Sequence, residues 1–399
     1  MAKLCEHCVT NLNTDQIPLA LYVHLPWCER KCPYCDFNSH EQFDNSLESG
    51  YIDALLTDLE QQLAEMPPRP LFSIFIGGGT PSLFSGKSIG KLLQGIDQSW
   101  GIPTATEVTM EANPGSAEAA RFADYRSAGV NRLSLGIQTF ADAQLTALGR
   151  VHNSTQAVQA IHLAKNNFER FNLDIMHGLP GQSVGAALED LERAIDYAQG
   201  HVSWYQLTIE PNTTFWSRPP TLPNDDILTD IQDAGEARFN DSGLTQYEVS
   251  AWAAPQQASK HNSNYWTFGD YIGIGAGAHG KITRENGTIT RTRRSRSPRD
   301  YLTGVSQSVK PQQHEIPKLE LPVEFMLNAL RLKSGVPASL FKAHTGLELA
   351  VVMPQIEQLV AQGLMSDNRE SIATTDRGFR FLNDVVASFM DNHEAVSSI

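Results

Sequence analysis

Between residues 19 and 213 the chain alternates short apolar runs with longer stretches in which apolar residues recur at helical spacing. The runs at 19–25, 71–84, 105–116, 131–140, 170–183 and 201–213 predict strands. The stretches at 51–66, 89–100, 117–130, 154–168 and 184–200 predict helices, the fourth with Ser154 as a candidate cap. Apolar strands alternating with helices predict an α/β fold. Its sheet would be parallel and covered on both faces, open or closed into a barrel. Polar or glycine residues close the strand runs: Gly77–Gly79, Glu111, Gln138, Asp174 and Glu210. Parallel α/β folds build their sites at the carboxyl ends of their strands. Five consecutive strand ends of this kind predict one shared site.

Near residue 215 the rhythm changes. An acidic-started helix is predicted over 221–243 and a strand over 244–253. The stretch 259–280, dense in Asn, Gly and aromatic residues, reads as a loop. A basic, serine-rich run fills 290–302, and 310–322 reads as a linker. The remainder mixes helix signals with a short turn or hairpin, which predicts a small winged-helix-like domain. No fixed-period repeat is present. On this reading the chain divides into a flexible leader (1–18), an α/β core (19–240), an extension (241–310) and a C-terminal domain (311–399).

Composition narrows the class. Of the 399 residues, 41% are apolar and 19% charged, which suits a globular protein with a sizeable core. A net charge of −14 argues against broad nucleic-acid binding, which needs a basic face. No apolar stretch of about 20 residues predicts a membrane span. The first 18 residues lack the basic and apolar blocks of a secretory signal, so a cytoplasmic location is expected.

All five cysteines fall in the first 35 residues, at Cys5, Cys8, Cys28, Cys32 and Cys35. An odd count in a long chain argues against a disulfide framework and for a metal or cluster site. Three thiolates can hold an iron–sulfur cluster, leaving one iron of a four-iron cube with an open position. Zinc is the alternative; it usually takes four ligands, and His24 or His40 could complete the set.

The segment "CERKCPYC" (28–35) resembles the signature of the radical S-adenosylmethionine (SAM) superfamily. The triple glycine of "GGGTPS" (77–82) resembles the superfamily segment that contacts the methionine amino group of SAM. The resemblance implies a partial (β/α)6 TIM-like barrel with a small C-terminal helical, winged-helix-like domain. It also implies a [4Fe–4S] cluster on Cys28, Cys32 and Cys35 whose open iron binds SAM and whose reduced form cleaves it. The segments "YVHLPWCERKCPYCDFNSH", "FIGGGTPSLF", "EANPGS", "NRLSLGIQTF", "LGRVH" and "DIMHGLPGQS" follow in order those of oxygen-independent coproporphyrinogen III dehydrogenase and its relatives. Over that subfamily the SAM contacts would be Tyr22, Tyr34, Gly78, Gly79, Thr80, Glu111, Gln138, Arg150 and Asp174. Arg150 can pair with a carboxylate, and Glu111 or Asp174 can accept from hydroxyl or amino groups.

The dehydrogenase carries a further cysteine two residues past the third, where this chain has Phe37, and a longer segment before the cysteine loop. Both departures resemble instead the heme-chaperone branch of the subfamily. That branch implies heme as cargo and heme-accepting apo-proteins as partners, membrane respiratory enzymes among them. Porphyrinogen oxidation in porphyrin synthesis is the alternative activity. The segment "HNSNYW" (261–266) resembles a motif of the branch. It makes His261 a candidate iron ligand with Tyr265 and Trp266 near the porphyrin, and His279 a second candidate ligand. Arg291, Arg293, Arg294, Arg296 and Arg299 could pair with propionates or form a solvated basic face. Cys5 and Cys8 read as an incidental pair on a mobile leader, with a redox pair or a metal site shared in a homodimer as alternatives.

Overall fold

Six strands form the frame: β1 (Leu19–Leu25), β2 (Leu71–Gly78), β3 (Glu107–Ala112), β4 (Arg132–Gln138), β5 (Arg170–His177) and β6 (His201–Gln206). They lie side by side in chain order and all run parallel. The computed structural model describes residues 12–41 and 43–390. Helices return the chain between strands and cover one face. The helix Glu48–Leu63 buries Tyr51, Ile52, Leu55 and Leu59, one stripe at helical spacing. The strands supply the matching side at alternate positions, such as Phe171, Leu173 and Ile175 on β5. Each large side chain buried there contributes about 1.5–3 kcal/mol relative to exposure.

Helix ends differ from the sequence reading in two places. Asn153, not Ser154, caps the helix Ser154–Asn167. Its side chain accepts from the Gln156 amide while the Gln156 side chain accepts from the Asn153 amide, a reciprocal capping box. The predicted helix over 117–130 divides into Ser116–Ala119 and Phe122–Ala128, the second closing on Gly129 with φ of 113°.

The extension does more than link. The strands β7 (Thr245–Glu248) and β8 (Ala251–Ala253) add antiparallel to β6. The chain then crosses to the other edge. There β9 (Asp270–Ile274) pairs parallel with β1, and β10 (His279–Thr283), β11 (Ile289–Arg293) and β12 (Gln312–Glu315) follow antiparallel. The twelve strands therefore run 12-11-10-9-1-2-3-4-5-6-8-7, a partial barrel of six βα units with added strands at both edges. The stretch 259–280, expected as a loop, holds the helix Lys260–Trp266, capped by Ser259, and β9. Part of the expected linker 310–322 is β12. Asp270 anchors β9: it is fully buried and pairs with Arg69 at 2.8 Å and Lys281 at 2.9 Å. Of the expected leader, residues 12–18 are described, and there Leu12 and Ile17 are buried. Cys5 and Cys8 lie outside the described residues.

A second core gathers Leu321, Phe325, Phe341, Leu359 and Val385 from the C-terminal helices, with the strand pair β13 (Val336–Pro337) and β14 (Ser371–Ile372). Among the described residues no helix is long and apolar enough to cross a membrane.

Candidate functional site

The loop after β1 carries the cysteines across the carboxyl end of the sheet. Backbone bonds pin it: Cys28 N–H donates to His40 O, and His40 N–H to Pro26 O. The glycine turn after β2 packs beneath it. The Gly79 and Thr80 amides donate to Leu25 O and Trp27 O at 2.8 and 2.7 Å. A Cβ at Gly79 would lie 2.4 Å from Trp27 O, and one at Gly78, whose φ is 118°, would meet the His24 ring at 2.7 Å. Only glycine lets strand and loop close this tightly. With those amides committed, the turn offers a ligand mainly carbonyl oxygens, acceptors suited to an ammonium group.

Beneath the loop lies a cavity of about 510 Å³. Cys28, Cys32 and Cys35 line it, as do Tyr34, Gly78, Gly79 and Thr80. Glu111, Gln138, Arg150 and Asp174 reach it from the strand ends and the turn at 150. The structure thus brings together eight of the nine residues expected at SAM and all three expected at the cluster. Tyr22 lines a neighbouring cavity instead, its hydroxyl donating to His24 Nδ1 at 2.9 Å.

Arg150 holds the centre. Its Nη2 donates to Asn113 Oδ1 at 2.6 Å and Gly136 O at 3.0 Å, and its Nη1 lies 3.5 Å from Cys32 Sγ. Its Nε is buried without a partner, and among the described residues it makes no ion pair with a carboxylate. Burial opposes its charge, yet Tyr34 and Cys32 keep it above the usual arginine value. Arg150 is half-buried, and a partly desolvated cation without an anion is costly. The site therefore suits an anionic guest: a thiolate-bound cluster beside Cys32, or a ligand carboxylate. Among the described residues no three His, Cys, Asp or Glu groups are already drawn together at metal-ligand distance. Of the two candidate fourth ligands for zinc, His24 spends both ring nitrogens, on Tyr22 and on Asn38 O, while His40 spends one, on Arg296 O. Three thiols on one wall, facing an unpaired guanidinium, fit a larger cluster that spans them.

Burial raises the pKa of both carboxyls opposite. Glu111 is pushed up to about 8 by burial and by Asp174, against one donor, the Gly78 amide at 3.1 Å. Asp174 is also raised by burial, offset by Ser134 and Asn172 at 2.8 and 2.7 Å. Gln138 sits at φ of 69° on a bulge of β4, where its Oε1 accepts from Tyr205 at 2.7 Å. Such strain in a non-glycine residue needs surrounding structure to hold it.

Several organising residues escaped the sequence reading: Asn113, Ser134, Asn172, Ser203 and Tyr205. Asn172 alone bonds Ser134, Asp174, His201 and Ser203. The signal was there. Strands β4 to β6 carry polar residues at alternate positions (Ser134, Gly136, Gln138; Asn172, Asp174; Ser203, Tyr205), the period of a strand with one polar face.

A second cavity, about 470 Å³, opens between the cysteine loop and the extension. Asp36, Phe37, Gly78 and Glu111 line both cavities. Of the residues expected at heme, Tyr265 lines the second cavity. His261 does not: it is 1% exposed, and its Nδ1 and Nε2 bond Ser73 Oγ at 3.0 Å and Tyr265 Oη at 2.9 Å. Burial holds its pKa down to about 3. Both ring nitrogens of His261 are thus engaged inside the protein, one on Ser73 and one on Tyr265. Trp266 packs toward the C-terminal unit under Arg331, 4.2 Å from its ring. The arginine run also divides. Arg294 is buried and paired with Asp58, Arg291 pairs with Glu324, and Arg293 and Arg296 line the second cavity. His279 lines it too and is exposed.

Known proteins resemble this chain in sequence and in fold. The profile described as the radical SAM superfamily matches residues 22–198, and that of the HemN C-terminal domain matches 316–381. The chain is 47% identical over 378 residues to "Heme chaperone HemW" of Haemophilus influenzae, covering 94% of this chain and 98% of that one. To the protein of the same name from Escherichia coli it is 46% identical, with the same coverage. The solved structure titled "Coproporphyrinogen III oxidase (HemN) from Escherichia coli is a Radical SAM enzyme" superposes with a TM-score of 0.80 at 20% identity, over 96% of this chain and 92% of that one. That likeness speaks for the fold.

Proposed function

Because the chain belongs to the HemW family of radical SAM proteins, we propose that it binds heme and passes it to apo-hemoproteins in the cytoplasm, with a [4Fe–4S] cluster and SAM resident in the first cavity. The observation that carries this reading is the composition of that cavity. It holds three thiols and a half-buried guanidinium lacking an anion, with Phe37 at the place of the dehydrogenase's further cysteine.

Cys28, Cys32 and Cys35 would hold the cluster, which when bound supplies an open iron position for SAM and a source of one electron. The chain's own residues do the rest. Arg150 orients a carboxylate against the loop, braced by Asn113 and Gly136 O. Carbonyls of the Gly78–Gly79 turn accept from an ammonium group. Asp174 and Glu111 accept hydroxyl hydrogens from the opposite wall, and Tyr205 fixes Gln138 beside them.

One sample tests the reading. The full chain, reconstituted anaerobically with iron and sulfide, is offered hemin and, separately, coproporphyrinogen III with SAM and a reductant. Saturable, stoichiometric hemin binding with no protoporphyrinogen formed is the expected result. Turnover of the porphyrinogen would overturn the reading in favour of the oxidoreductase.

A further inference from the structure

The second cavity has a composition of its own. Its floor is aromatic: Tyr265 and Tyr271 stand edge to face with ring centroids 4.5 Å apart. Phe37, 59% exposed, projects from the cysteine loop on one side. On the other side β10 and β11 place His279 directly across the ladder from Arg293. Arg296 follows three residues on. Its backbone is tied to the loop because Asn38 Nδ2 donates to Arg296 O at 2.9 Å.

Three of the polar groups here, His279, Arg293 and Arg296, have no charged partner among the described residues. The His279 ring makes no hydrogen bond among the described residues, and neither Arg293 nor Arg296 pairs with a carboxylate there. Arg293 touches the Gln312 amide oxygen at 2.9 Å, and Arg296 lies 3.4 Å from Asn38 Oδ1. An imidazole with open nitrogens, two guanidiniums without carboxylate partners and an aromatic floor ask for one kind of guest. It is planar, carries a metal with an open axial position, and bears carboxylates at one edge. The carboxyls Asp36 and Glu111 stand on the wall shared with the first cavity. The Asp36 carboxylate would repel the guest's carboxylates, turning that edge toward the arginines.

We propose that this cavity is the heme site: His279 ligates the iron, Arg293 and Arg296 pair with the propionates, and Tyr265, Tyr271 and Phe37 cover the ring. The assignment rests on the heme-handling function proposed above and deepens it. His261 acts as a positioning residue. It holds the Tyr265 hydroxyl from behind, with Ser73 as its own support. Heme bound here would lie against the wall of the cluster cavity and face solvent on the opposite side, open to an acceptor.

Two arms test it, both on the full chain by absorbance and electron paramagnetic resonance. In the first, His279→Ala and His279→Gln are titrated with hemin beside His261→Ala. Both His279 variants are expected to shift the Soret band and lose the imidazole-ligand signature, and added imidazole is expected to restore it in His279→Ala. His261→Ala is expected to keep the wild-type signature. In the second arm, Arg293→Gln/Arg296→Gln is titrated with hemin and with hemin dimethyl ester, which lacks the carboxylates. Hemin affinity is expected to fall about a hundredfold, about tenfold for each of the two charge-assisted pairs, with the ester little changed. Wild-type chain that fails to bind hemin would overturn the heme function itself. Bound hemin with an unaltered spectrum in both His279 variants would overturn only this site.

Discussion

The two cavities share a wall and differ in how their side chains are held. In the first, the polar groups come from barrel strands, are buried, and are bonded to one another before any guest arrives. Asn172, 2% exposed, braces Asp174, and Tyr205 braces Gln138. In the second, the chemistry comes from the hairpin β10–β11 and the loop tip at Phe37, and its polar groups are exposed and lightly tethered. A prebuilt, desolvated network lowers the reorganisation needed to bind and suits a cofactor that stays. Exposed groups with few commitments suit a cargo that must leave. On the proposed assignment the permanent site sits on the barrel strands and the transient one on the added edge.

Removing a cluster thiol should break that comparison most sharply. In Cys32→Ser the first cavity loses a ligand and the thiol beside Arg150. The reconstituted variant is expected to lack the iron–sulfur absorbance while hemin binding persists within about threefold. Equal loss of both would mean that the two cavities are one site.

Next in size is the cost of the prebuilt network itself. Glu111 has its pKa raised from 4.5 to about 8, with burial the main cause and Asp174 the second. A carboxyl raised in the folded state binds more protons there than in the unfolded chain. It therefore contributes stability that is fully present below pH 4.5 and is lost as pH rises through about 8. The cluster-free chain should lose on the order of 2–4 kcal/mol across that window from this residue. Glu111→Gln should flatten the slope and be the more stable form at the alkaline end. Thermal midpoints measured at several pH values decide it; parallel curves for the two proteins would remove Glu111 as the cause.

Much of the first cavity was legible in the sequence because its parts are local. The strand period put Gly78, Gly79, Glu111, Gln138 and Asp174 at strand ends and the spacing of Cys28, Cys32 and Cys35 marked a metal or cluster site, while Tyr34, Thr80 and Arg150 came only through the family resemblance. The interior alternation of Ser134, Asn172 and Ser203 was equally local and was passed over because the strands read as apolar. Of the second cavity, the resemblance singled out Tyr265, His279, Arg293 and Arg296, but nothing in the sequence gathered them with Phe37 into one cavity. It exists because β9 joins β1 across some 250 residues of chain, and pairing at that distance leaves no local pattern. The Asn- and Gly-rich composition of 259–280 pointed to a loop. Yet Ser259 caps a helix there, and Asp270 binds Arg69 and Lys281 from distant parts of the chain. "HNSNYW" drew the eye to His261 as a ligand. Only the packing of Ser73 and Tyr265 against it shows a ring already spent.

The smallest expected effect falls on the wall between the cavities. Phe37 is exposed in a loop whose position is fixed by its neighbours, with Asn38 bonded to Ala276 O and Arg296 O. Truncating it removes little buried surface, so Phe37→Ala should change stability by less than about 0.5 kcal/mol. The iron–sulfur absorbance should also stay intact, because no thiol moves. What it removes is one aromatic face over the second cavity, worth about 0.5–1.5 kcal/mol when it stacks on a flat partner. Hemin affinity should therefore fall by about two- to tenfold, measured by titration, with the His279 signature unchanged. If the cluster were lost and hemin affinity held, Phe37 would belong to the permanent site, and the division of labour between the two cavities would need redrawing at this residue.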